Sequence, residues 1–259
     1  KDVLRTDRTL PLFATDSVHG GSDEANLSEH GLPGSSASLE KMKDILMTFH
    51  YYDQRALGYV QGMSDLLAPV YSVYQDEPTT FWAFTMFMQR MRSHFVRDQS
   101  GMQDELSTMA RLVEIANPRL FKHLEKCDAS NMFSCYRWLL IWFKREFSFE
   151  DVLRLWEVLW TDYLTKRFVL FVALAILQRH ADVIIDHLRS PEEVLKYVQD
   201  LSGTIDLNDA LKGAEMCFYK VRSRVLANEQ LRNDRSLSLF AVGNSSDTTV
   251  DSNKTEEEE

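Results

Sequence analysis

Cysteine is scarce in this chain of 259 residues: only Cys127, Cys135 and Cys217 occur, with no CxxC and no histidine at ligand spacing. That set excludes a disulfide framework and a zinc site, and buried free thiols in a reducing compartment are the expectation. Long hydrophobic runs are missing too. The longest, FVLFVALAIL at residues 168–177, ends between Arg167 and Gln178 and is about half the ~20 residues that a bilayer requires. Positive charge is in deficit, 29 Lys and Arg against 39 Asp and Glu for a net −10, which argues against a large nucleic-acid footprint. There is no Gly-rich phosphate loop, no cluster suited to a metal, no convincing strand alternation and no fixed-period repeat.

What is present is apolar periodicity. With 44% apolar or aromatic residues, the chain can bury a substantial core. Leu39, Met42, Ile45, Leu46 and Phe49 recur at three and four residues, the spacing of one helical face. Further helices are expected over 63–75, 78–96, 102–115, 117–126, 131–146, 149–161, 167–180, 182–188, 191–202 and 206–223. Start signals support several of them: Pro78, Pro191 with Glu192 and Glu193, and Ser148 with Asp151 three residues on,. The fold class predicted is all-α, a single large multi-helix domain over 1–223 with short connections.

Two stretches fall outside that packing. Residues 16–38 are rich in Gly, Ser and acids, and are expected to form a flexible loop. Residues 224–259 form a polar, acidic extension; in its last 17 residues, from Gly243, Asp247, Asp251 and Glu256 to Glu259 against Lys254 leave a net −5, and partial disorder is expected there. No signal peptide opens the chain, and a start at Lys1 without Met reads as a trimmed fragment,.

Two short motifs carry polar chemistry. In DVLRTDR, residues 2–8, Asp2 and Arg5 stand three apart, so a helical turn would bring them to one side. Asp2 would hold the local backbone while Arg5 projects five fixed donors suited to phosphate; a solvated charged turn, including Arg8, is the plainer reading of the same spacing. In GYVQGMSD, residues 58–65, Gly58 and Gly62 bracket Tyr59 and Gln61, allowing a sharp turn that offers a carboxamide able to orient water. A turn whose glutamine only bonds the backbone remains the alternative. Ser64 is a candidate cap for the next helix, and Pro69 is expected to kink it.

Together with DQRALGYVQGMSDLLAPV at 53–70 and FSCYRWLLIWFKREFSFEDVLRLWEVLW at 133–160, these motifs resemble, in order and separation, the TBC domain of Rab GTPase-activating proteins. The likeness covers about residues 1–222. Asp2 and Arg5 match the end of that family's I-x-x-D-x-x-R motif, and Tyr59 and Gln61 its Y-x-Q motif; the isoleucine position falls before Lys1. The resemblance implies that Arg5 serves as an arginine finger and Gln61 as a glutamine finger, both supplied in trans to a GTP-bound Rab. Asp2, Tyr59, Gly58, Gly62 and Arg137 would then support the fingers or shape the binding groove. It also implies a catalytic activator that is not itself a hydrolase, with no intrinsic cofactor, since GTP and magnesium belong to the partner. A cytoplasmic protein recruited peripherally to organelle membranes follows, with a non-catalytic Rab-binding scaffold as the alternative.

Other conspicuous residues read as structural. Trp82, Trp138, Trp142, Trp156 and Trp160 lie at core-like spacing,, and MFMQRM at 86–91 reads as adaptable core. The histidines, His50 among them, are scattered without a partner visible in sequence.

Overall fold

A computed structural model of the chain describes residue 13, residues 37–54 and residues 57–240. Asp2, Arg5 and Arg8, most of the 16–38 loop and the tail from residue 241 lie outside the described residues. The described residues are mostly helical, with no strand among them.

Helix α1 (Ala37–Tyr52) turns its stripe of Leu39, Met42, Ile45, Leu46 and Phe49 into the core, as the periodicity predicts. It packs against α2 (Met63–Tyr74) and α3 (Glu77–Phe95). The start of α3 is set by Asp76, whose side chain accepts from the Thr79 N–H, with Pro78 in the first turn,. After α4 (Ser100–Ala116) and α5 (Pro118–Lys126) the chain makes a 3-10 turn, Phe133–Cys135, and the short α6, Tyr136–Leu140. Then follow α7 (Phe149–Trp160), α8 (Phe168–Arg179), α9 (Ala181–His187), α10 (Pro191–Asp200) and α11 (Leu207–Ala227). The Ser148 hydroxyl caps α7 by accepting from the Asp151 N–H and donating to its carboxylate. Ser190 caps α10 in the same backbone mode,.

At the centre lies α8. Every residue from Phe168 to Leu177 is buried, and its most extensive partner is α11, with α4, α6 and α9 around it. A helix apolar on all sides is stable only when enclosed by others. Among the described residues no single helix is long and apolar enough to cross a membrane; α8 and α9 reach that length only as a pair bent by 54°.

Three details differ from the sequence-based expectations. The helix expected over 131–146 is broken, because Trp142 and Phe143 adopt left-handed backbone angles with φ of 47° and 59°. The Phe143 N–H reaches back to the Trp138 carbonyl at 2.9 Å, and the Trp142 carbonyl is taken by the indole N–H of Trp156 at 2.9 Å. Aromatic packing against α7 therefore overrides local helix propensity. Second, Trp138, Trp142 and Trp156 are buried, but Trp82 and Trp160 are 55% and 44% exposed. Trp82 and Met86 stand four apart on the face of α3 opposite Phe84 and Met88, and Trp160, its ring tilted against that of Trp156, ends its helix. Third, packing continues past Ser223. Arg224 donates to the Ile115 carbonyl and Arg111 pairs with Asp234. Phe240 inserts beside Phe171 and Phe218 at the end of a 3-10 turn, Arg235–Phe240.

The three cysteines are buried free thiols. Burial pushes the Cys135 thiol up to about 12 and raises that of Cys217 as well, so neither carries thiolate chemistry near neutral pH.

Candidate functional site

The turn between α1 and α2 is built by hydrogen bonds that converge on its backbone. Leu57 and Gly58 both donate to the Asp53 carbonyl, at 3.0 and 3.1 Å. The Asp53 carboxylate is in turn anchored to the Arg92 guanidinium of α3 at 2.7 Å. The Tyr59 N–H donates to Nδ1 of His50, on the last turn of α1, at 3.1 Å. On the far side, Met63 donates to the Val60 carbonyl at 3.2 Å and Asp65 to that of Gly62 at 3.1 Å, which starts α2.

The two glycines serve different ends. Gly58 has a φ of +67°, and a Cβ there would stand 3.0 Å from the His50 Nδ1. Gly62 has a φ of +97°, but a Cβ would meet only Phe95 at 3.8 Å and Ile141 at 3.9 Å. Conformation alone demands glycine at 62, whereas conformation and close approach both demand it at 58. Replacing Gly58 with alanine is expected to destabilise the fold by about 1–2 kcal/mol through the left-handed strain alone, with loss of the His50 contact in addition. Urea unfolding checks this, and a variant as stable as the wild type would contradict the geometry.

Between them Gln61 is exposed, while Tyr59 is half-buried against the core. Gly62 takes the N-cap position of α2. Ser64, the cap expected from sequence, is instead buried inside the first turn at 3% exposure.

The broken segment after α6 forms a second wall. Arg145 grips Asp65 in the first turn of α2 through two bonds, Nε to Oδ1 at 3.1 Å and NH2 to Oδ2 at 2.9 Å. Such a fork fixes orientation as well as distance. Arg137 pairs with Glu146, its Nε and NH2 standing 2.7 and 2.6 Å from one carboxylate oxygen. The Glu146 side chain is fully buried, and burial pushes its carboxyl above the ordinary value, with Arg137 offsetting part of that,. Its backbone carbonyl accepts from Gly203, and the carbonyl of Arg145 accepts from Ser202. Arg137, expected to shape a groove, thus has the structural task of compensating a buried carboxylate.

The structure therefore gathers Gly58, Tyr59, Gln61 and Gly62 on one anchored turn, with Asp65 and Arg145 beside it. Asp2 and Arg5 lie outside the described residues, but Phe13 is placed: it is fully buried, its ring 6.3 Å from that of Tyr71 on α2. The supports at His50, Asp53, Arg92 and Arg145 were not singled out for this role from sequence. Each acts through a partner 9 to 80 residues away, and no local pattern announces such pairs. Among the described residues there is no group of histidines, cysteines and carboxylates able to hold a metal ion.

The Rab-GTPase-TBC domain profile matches residues 34–185, a span that includes Gln61, Arg137 and Glu146 and begins after Arg5. The chain is 49% identical over 240 residues to the GTPase-activating protein GYP7 of Yarrowia lipolytica, covering 91% of this chain and 33% of that protein. It is 40% identical to GYP7 of Saccharomyces cerevisiae over 85% of its own length and 32% of the relative's. Human TBC1 domain family member 17 is 39% identical over 83% of this chain and 30% of its own length. The chain thus spans about a third of the length of these relatives. Among solved structures, the Ypt/Rab-GAP domain of Gyp1p superposes with a TM-score of 0.63 at 20% identity, over 73% of this chain and 67% of that one. At that identity the likeness concerns the fold.

Proposed function

The chain belongs to the Rab-GTPase-TBC domain family, and from that membership we propose that it accelerates GTP hydrolysis by a Rab-family GTPase in its GTP-bound state. Two of its own side chains enter the partner's site. Gln61 positions the attacking water through a carboxamide that both donates and accepts. Arg5 places a guanidinium against the charge that develops on the transferring phosphoryl group. GTP and magnesium are the partner's. The chain itself supplies no nucleophile and forms no covalent bond.

The observation that carries this reading is the exposed Gln61 on a turn fixed from α1, α2 and α3. An amide that must orient water gains from a backbone that cannot drift, because misplacement by about 1 Å costs on the order of 100-fold in rate. The seat of Phe13 on Tyr71 supports the second finger. Arg5 stands eight residues before Phe13, so at most about 29 Å of chain separates the two.

Phosphate release from a panel of GTP-loaded Rab proteins tests the proposal. The wild-type chain accelerates at least one of them, and Gln61→Ala lowers that acceleration about 100-fold. Binding to a GTP-loaded Rab without faster release would leave a non-catalytic scaffold as the reading. Because Rab proteins sit on membranes through lipid anchors, the proposed site of action is the cytoplasmic face of an organelle, reached from the cytoplasm through the partner.

A further inference from the structure

His50 stands nine residues before Tyr59 and on a different element, yet it meets the turn at its most demanding point. Its Nδ1 accepts the Tyr59 N–H at 3.1 Å. The same ring edge fills the space that a side chain at Gly58 would take, since a Cβ there would stand 3.0 Å from Nδ1 and 3.3 Å from Cε1. The imidazole and the missing side chain are thus complementary, and the left-handed Gly58 aims the next amide at the ring. His50 itself is half-buried, with its ring edge-on to Tyr51 at 5.4 Å.

We propose that His50 is a positioning residue for Gln61: its bare Nδ1 clamps the turn on the N-terminal side, as the start of α2 clamps it on the C-terminal side. This rests on the functional reading above. The backbone of Gln61 lies between those clamps, with Tyr59 N–H held by His50 and the carbonyls of Val60 and Gly62 held by Met63 and Asp65. Accepting at Nδ1 requires the neutral ring with its hydrogen on Nε2. Losing this clamp leaves the α2 side intact, so the carboxamide stays present but wanders. The expected loss is therefore smaller than that from deleting Gln61.

Two variants separate positioning from bulk. Leucine at 50 keeps an apolar side chain of similar girth and has no acceptor; asparagine places an amide oxygen the same number of bonds from Cα as Nδ1. In the phosphate-release assay, on the Rab that the wild-type chain stimulates best, His50→Leu is expected to lower kcat about tenfold while the half-saturating Rab concentration stays unchanged. His50→Asn is expected to recover most of that loss, and both variants should unfold within a few degrees of the wild type. Two-bond nitrogen–proton NMR correlation of the wild-type chain, without any partner, is expected to show the hydrogen on Nε2. A hydrogen on Nδ1, equal activity of both variants with the wild type, or a loss confined to the half-saturating concentration would overturn the proposal. Gln61→Ala in the same assay tells the two readings apart. Full activity of that variant removes the glutamine finger and this inference together, whereas its impairment beside an unaffected His50→Leu removes this inference alone.

Discussion

Arg5→Ala is expected to lower stimulated GTP hydrolysis by about 10³-fold or more, the largest effect of any single substitution in this chain. Arginines supplied to GTPases in trans contribute roughly 10³ to 10⁵ in rate, which corresponds to about 4–7 kcal/mol of barrier. The gain arises because the guanidinium meets charge that grows on the phosphoryl oxygens only as the bond to the leaving group loosens. In a site from which water is excluded, that charge has few other partners. Lysine at the same position keeps the charge and loses the planar fork, so Arg5→Lys is expected to recover little. The measurement is single-turnover phosphate release at saturating chain, with circular dichroism to confirm unchanged helicity. Retention of more than a tenth of wild-type stimulation by Arg5→Ala would assign the rate gain to another residue.

The second large effect is on stability. Arg137→Ala leaves the Glu146 carboxylate, which has no solvent exposure, without the guanidinium that holds one of its oxygens; the other already lacks a hydrogen-bond partner. Removing one member of a buried pair costs about 3 kcal/mol or more, because the survivor is unsolvated and keeps only the smaller help of the backbone and charge of Arg145. The size of the loss depends on pH, and the sign follows from the raised folded-state pKa of Glu146. A carboxyl whose pKa is raised by burial binds its proton more tightly folded than unfolded. Its contribution is therefore present below the ordinary carboxylate pKa and is lost as pH rises through the raised folded value,. Without Arg137, the main factor that offsets burial, that value rises further. The deficit of Arg137→Ala is thus expected to be largest at neutral pH and above, and to shrink in mild acid as Glu146 takes up a proton. Urea unfolding of both proteins across that range measures it; a deficit that grows toward acid would contradict the assignment.

Much of the helical scaffold could be read from local pattern, because helix formation depends on neighbours three and four residues apart. The buried stripe of α1, the Ser148 cap, the start of α10 at Pro191 and the apolar run of α8 all follow from spacing and residue type,. The pattern failed where distant packing outweighed it. Residues 131–146 carry a helical signal, but the chain turns at Trp142 and Phe143 so that aromatic rings meet α7 and Glu146 meets Arg137. Trp82 and Trp160 have the composition of core, and their place on a helix left them half-exposed.

The candidate site divides along the same line. That glycines bracket Gln61, and that such a turn offers its carboxamide outward, was legible in eight consecutive letters, because backbone freedom at glycine is a local property. That His50, Arg92 and Arg145 hold this turn was not, since each bond joins segments that meet only after the helices have packed. Sequence spells out which residues can form a helix or a turn; the three-dimensional packing settles which of them share a surface, because hydrophobic burial brings elements together without regard to their separation along the chain.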